Sequence, residues 1–191
     1  MYSLSSRQQI TVGLILAALM AVTRGQHSAL ATHLPDASLA VFFLAGVYLR
    51  PAWAFPALFG LGALIDTVAV TWGGVSGFCI TPAYALLVPA YGALWAAGRW
   101  YAGQHRQAWS TLVPLVGAVL VGATLSEVFS TGGFYLFSGV FADWTLEGLA
   151  MGIVKYLPTS LASLALYLGL AALTHLALTL VQPRQAGTIG R

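Results

Sequence analysis

Cys79 is the sole cysteine in 191 residues, and it sits in Thr71–Tyr84, Thr-Trp-Gly-Gly-Val-Ser-Gly-Phe-Cys-Ile-Thr-Pro-Ala-Tyr. A thiolate is both a nucleophile and a soft metal ligand, and its pKa governs its reactivity. Thr81-Pro82 reads as a helix start, Thr81 as N-cap and Pro82 at the first position. A thiol just ahead of a helix N-terminus is biased toward thiolate by the positive dipole end. A free cysteine is also a common small buried hydrophobe, so its place in the fold decides between the readings. One cysteine excludes an internal disulfide and any CxxC redox or zinc motif.

Three ionisable residues stand inside apolar runs. Asp66 lies ~20 Å along its helix from Trp53, Glu127 ~27 Å from Trp109, and Lys155 about one turn into the last helix. Such groups are expensive in a membrane and pair with one another or line a cavity. Lys155 with Glu127 or Asp66 is the expected ion pair. A third Gly-rich aromatic stretch, Gly132-Gly-Phe-Tyr-Leu-Phe-Ser-Gly-Val-Phe-Ala-Asp-Trp144, suits a lid over a large flat ligand; an interfacial aromatic belt explains the same residues.

Two alternative chemistries arise in the same segments. Gly74-Val75-Ser76-Gly77 matches the GxSG of rhomboid intramembrane proteases. Its general base would have to be His175, ~35 Å down the last helix from the outer end, whereas serine and base must come within about 3 Å. A soft-metal site from Cys79, His27 and His33 has suitable donors but no diagnostic spacing.

These residues need a membrane scaffold. The chain is 59% hydrophobic and 7% charged, against roughly 25% charged in a soluble domain. The first apolar run is too long for a signal-peptide core and is followed by others. Six transmembrane helices are expected, near 9–31, 36–49, 53–71, 83–102, 109–131 and 150–181, in one all-α integral membrane domain covering 1–191. The second is short, about 20 Å. Arg7, Arg50, Arg99, Arg106, Arg184 and Arg191 fall on one side, and the five acidic residues fall on the other or in the half facing it. The positive-inside rule then puts both termini in the cytoplasm. The outer loops are 24–35, 72–82 and 132–148, with a polar tail at 182–191. The net charge of +3 does not suggest nucleic acid, because the basic residues are scattered, and no Walker A motif provides an ATP site.

A small six-helix protein with its N-terminus inside and a ligand site built from outer loops resembles the S-components of energy-coupling-factor (ECF) vitamin transporters. Ala17 and Ala21 supply the AxxxA spacing used in that family's first helix to dock a coupling subunit, a small-xxx-small pattern that lets helices approach closely. The cysteine ahead of Thr-Pro-Ala-Tyr is similar to the BtuM-type solitary cobalamin transporters. This resemblance implies vitamin B12 uptake across the bacterial inner membrane, with Cys79 as axial ligand to cobalt and the vitamin held base-off. Aromatic walls for the corrin would come from Phe78, Tyr84, Tyr135 and Trp144, and partners for its amide arms from Asp66 and Asp143. His27 is a candidate for the opposite axial face. Thiolate ligation is expected to weaken the bond to an upper cyanide, so that cyanocobalamin is decyanated on binding. Any ATPase would be a partner subunit of the ECF type, docked through helix 1. Two other functions stay open: an S-component for another vitamin with Cys79 incidental, and a membrane enzyme with Cys79 as nucleophile.

Overall fold

The computed structural model describes residues 4–24, 34–74, 77, 81–106, 108–141 and 145–181, with side chains described up to residue 177. They form six α-helices: α1 Ser6–Arg24, α2 Ser38–Tyr48, α3 Ala54–Thr71, α4 Leu87–Gln104, α5 Leu112–Phe137 and α6 Leu146–Val181. Short 3-10 turns at Pro82–Leu86 and Trp109–Thr111 lead into α4 and α5. Four of the helical segments, 6–24, 54–71, 109–137 and 146–177, are long and apolar enough to cross a membrane. α4 has 18 residues but carries Arg99 and Gln104, and it falls outside that set.

The burial pattern suits a lipid solvent. On α1 the side chains of Leu16, Met20 and Thr23 are buried, one face at helical spacing, while Ile10, Leu14, Ile15 and Val22 are exposed. On α6, Leu166, Leu170 and Leu173 are likewise exposed, and Leu164 is fully buried. In water such a surface would be an aggregation liability; in a bilayer it is the ordinary outer face.

α2 is the central post. Residues Ala40 to Gly46 are all buried, as expected of a segment apolar on every face, and it packs against α1, α3, α4 and α6. Its 11 residues span only about 16 Å. Phe42 stacks on Tyr91 of α4 with ring centroids 4.4 Å apart. The α2–α4 contact is close enough to require glycine. A β-carbon on Gly98 would fall on the Phe43 carbonyl, and one on Gly46 on the Trp95 carbonyl. Gly98→Ala is therefore expected to cost about 1–3 kcal/mol by overpacking. Gly117→Ala on α5, where nothing lies within 4 Å, should be neutral or stabilising by up to about 1 kcal/mol. Thermal unfolding of the purified variants in detergent checks both; equal melting points would contradict this packing.

Long-range contacts fix the antiparallel order. At one end, Gln9 of α1 accepts from the Arg50 backbone N–H (3.0 Å), and Arg99 of α4 donates to the carbonyls of Leu49 and Arg50 (3.1 Å each). The Arg99 guanidinium thereby caps the α2 C-terminus, where a cation is favoured, and lies 4.5 Å over the Trp95 ring. At the other end, Arg24, Asp66 and Tyr84 meet. α6 shows how deep α2 begins. Ser163 donates to the Asp36 carbonyl (2.6 Å) and Tyr167 to the Pro35 carbonyl (2.5 Å). Ser163 lies roughly 26 Å along α6 from Leu146, so the start of α2 packs against the middle of that 36-residue helix.

The expected third outer loop, 132–148, is shorter than its glycines suggest. α5 continues to Phe137, and α6 begins at Leu146. Gly132 and Gly133 are contact points instead of hinges. A β-carbon on Gly133 would strike the Leu86 side chain, and one on Gly132 would touch Leu149 at 3.5 Å. Tertiary packing overrides the low helix propensity of glycine here.

Candidate functional site

The polar cluster at the end opposite Arg50 is built on Arg24, in the last turn of α1. Its Nε and Nη2 donate to Oδ1 and Oδ2 of Asp66, 2.7 Å each, a bidentate fork. Nη1 donates to Ser38 Oγ (2.9 Å) and to the Tyr91 hydroxyl (2.8 Å). The Arg24 and Asp66 side chains are 10% and 23% exposed, so each charge leans on the other. Only arginine, with a planar fork of five donors, meets three helices at once. The guanidinium packs over Gly62 of α3, its atoms 3.7 Å from where a β-carbon would be, an ordinary contact distance.

Two further arms reach from this core. Tyr84 donates to Asp66 Oδ2 at 2.8 Å, which ties the 3-10 turn to α3. Asp36 Oδ1 accepts from the Ser38 backbone N–H (2.9 Å) and hydroxyl (2.7 Å), and Thr23 accepts from the Ala37 N–H (3.1 Å). The α2 N-terminus is thus closed by side chains from its own flank and from α1. Asp36 itself is exposed, with its carbonyl against Ser163 in the middle of α6.

Of the sequence candidates, the structure brings Asp66 and Tyr84 together. His27, Phe78, Cys79, Asp143 and Trp144 lie outside the described residues, as do His33 and Ser76 of the two alternative chemistries. The flanks of the cysteine segment are described. Gly74 has φ +67°, a left-handed conformation that glycine adopts freely. Thr81 accepts from the Ala83 N–H at 3.3 Å as N-cap, with Pro82 following. The start is where the sequence puts it, but it opens a five-residue 3-10 turn. That turn runs directly into α4 at Leu87, and Cys79 itself lies outside the described residues.

Tyr135 serves a different contact. Its ring lies 4.5 Å from that of Phe141, and its hydroxyl accepts from the Thr145 N–H at 3.3 Å, so it closes the α5–α6 connection on itself. Ala17 packs partly buried against the core while Ala21 is exposed on α1.

The expected lysine pair is replaced. Asp66 has Arg24, and the buried Glu127 accepts from the hydroxyls of Thr131 (2.8 Å) and Ser160. Lys155 is exposed, with Nζ 5.3 Å over the Tyr156 ring, as a cation does when its stem runs along an apolar surface. Arg24 is the residue that sequence reasoning missed. Its signal was depth: about 27 Å along α1 from Ser6, it reaches a level close to that of Asp66.

No protein-family model matches the sequence, and no curated protein matches it.

Proposed function

We propose that this chain is a multi-pass protein of the bacterial inner membrane that takes up vitamin B12, with both termini cytoplasmic and cobalamin arriving from the side of the Arg24–Asp66 cluster. The observation that carries this reading is the clamp of Tyr84 onto Asp66 and Arg24. It anchors the chain five residues after the one thiol, at the end away from Arg50 and Arg99. A thiol on a segment held at its base by a buried ion pair is a reasonable way to offer a fixed axial donor to cobalt. The short α2 supports the same reading, since its start sets the exposed Asp36 beside the Arg24 cluster, where a ligand arriving from that side would meet it.

In this scheme Cys79 donates an electron pair to cobalt(III) and displaces the dimethylbenzimidazole nitrogen, leaving the vitamin base-off. The upper cyanide of cyanocobalamin then leaves with its bonding pair, takes up a proton and departs as hydrogen cyanide, so cobalt stays trivalent. Asp66 and Tyr84 hold the floor of the site, with Asp66 also available to a corrin amide. ATP coupling, where it occurs, is the work of ECF-type partner subunits.

Protein purified from cells grown with cobalamin is expected to carry corrinoid absorption bands at near-stoichiometric amounts. Colourless protein that takes up no cobalamin on incubation would overturn the assignment. A different bound chromophore would point to another vitamin.

A further inference from the structure

The opposite end of the bundle holds a cavity of about 230 Å³ between α2, α4, α5 and α6, reached also by Leu4 ahead of α1. Its depth is apolar, with Phe43, Leu44, Leu115 and Leu168 among its walls, and its polar groups include Arg50, His105 and His175. Burial holds the His105 imidazole below the ordinary histidine value, and the nearby His175 acts in the same direction. Among the described residues, no acidic side chain lines the cavity. Asp36 and Asp66 belong to the other cluster, Glu127 lies roughly 22 Å up α5 from Leu112, and Glu147 is in the first turn of α6.

The volume would hold roughly eight waters at their share of the liquid, but a buried water needs two to four polar partners. Most of this lining offers none. An acyl chain satisfies the apolar depth without loss. The mouth adds a second requirement, since the Arg50 guanidinium, with no carboxylate among the described lining residues, favours an anion, to which an imidazole N–H can donate. Arg7, Arg99 and Arg106 stand at the same end, around a surface with no acidic counterpart among the described residues. Basic clusters at the inner membrane surface attract anionic lipids.

We infer that this cavity is a binding site for an anionic phospholipid of the inner leaflet, with one acyl chain in the apolar depth and the phosphate at Arg50, His105 and His175. The inference rests on the membrane placement proposed above but not on the identity of the transported substrate. A lipid wedged between the ends of α2, α4 and α6 would bear on any rearrangement of these helices during uptake.

The test is native mass spectrometry of detergent-solubilised protein with added phosphatidylglycerol, phosphatidylethanolamine or oleate. Wild type should retain phosphatidylglycerol over phosphatidylethanolamine by about fivefold or more, the factor that one basic side chain near a charged surface supplies. Arg50→Gln, a change at an exposed residue, should bring the ratio toward parity. Ala171→Phe, which fills the cavity, should remove the adduct. Equal retention of the two phospholipids by wild type, or an Ala171→Phe adduct as strong as wild type's, overturns the inference. Retention of oleate with no phosphatidylglycerol adduct overturns the phospholipid assignment. The corrinoid spectrum is read on the same wild-type sample, so failure of the lipid site and failure of the cobalamin reading are distinguishable.

Discussion

Arg24→Ala is expected to destabilise the protein by about 3–5 kcal/mol, the cost of leaving one member of a buried ion pair without its partner. The loss has an identifiable source. Without the guanidinium, the Asp66 carboxylate loses both bonds of the fork, and Ser38 and Tyr91 lose a shared donor. Arg24→Lys should recover little of this, because a single ammonium cannot fork onto Asp66 and still reach two hydroxyls. Asp66→Ala should cost a similar amount by stranding the cation.

The double variant carries the argument. Arg24→Met with Asp66→Leu removes both charges and should be distinctly more stable than either single truncation, since two apolar side chains replace a pair whose desolvation was already expensive. Melting temperatures of the purified variants in one detergent provide the cycle. Additive losses would mean that Arg24 and Asp66 do not act as a pair, and the clamp on Tyr84 would go with them. If the clamp is real, the double variant separates stability from function: it folds, yet it lacks the fixed anchor for Tyr84 and should bind cobalamin more weakly than wild type.

Four of the helices were legible because they are long apolar runs, and an apolar outer surface needs no periodicity to be seen. α2 was readable as short, since Asp36 and Arg50 bracket it in the sequence. That it is the buried centre of the bundle was not, because a segment apolar all round carries no facial signal. Gly132-Gly133 misled for a related reason. A glycine pair at a loop boundary and one at a helix contact look the same until the neighbour, here Leu86, is known. The ion pair was half visible. Asp66 demanded a partner, but the choice between Arg24 and Lys155 depends on which helices adjoin, a long-range fact. At the end opposite the Arg24 cluster, His105 and His175 are 70 positions apart, and only the fold joins them at one cavity.

Cys79→Ser tests the chemistry the clamp would serve, and its expected effect is loss of the thiolate-type absorbance change when cyanocobalamin is added. Serine keeps the size of the side chain and removes the donor: a neutral hydroxyl is a poor ligand for cobalt(III), whereas a thiolate is a strong one. The substitution should therefore leave the melting temperature nearly unchanged, in contrast to Arg24→Ala, while the corrinoid bands revert to those of base-on vitamin or disappear. Release of cyanide should fall to the rate of the protein-free solution. Identical spectra from variant and wild type would remove Cys79 from cobalt. A variant that loses substrate turnover while neither form binds a corrinoid would identify the thiol as the nucleophile of a membrane enzyme. The two lesions are thus expected to fail differently, Arg24→Ala through the fold and Cys79→Ser through the ligand alone, and that contrast is what a site made of a structural clamp and a separate donor requires.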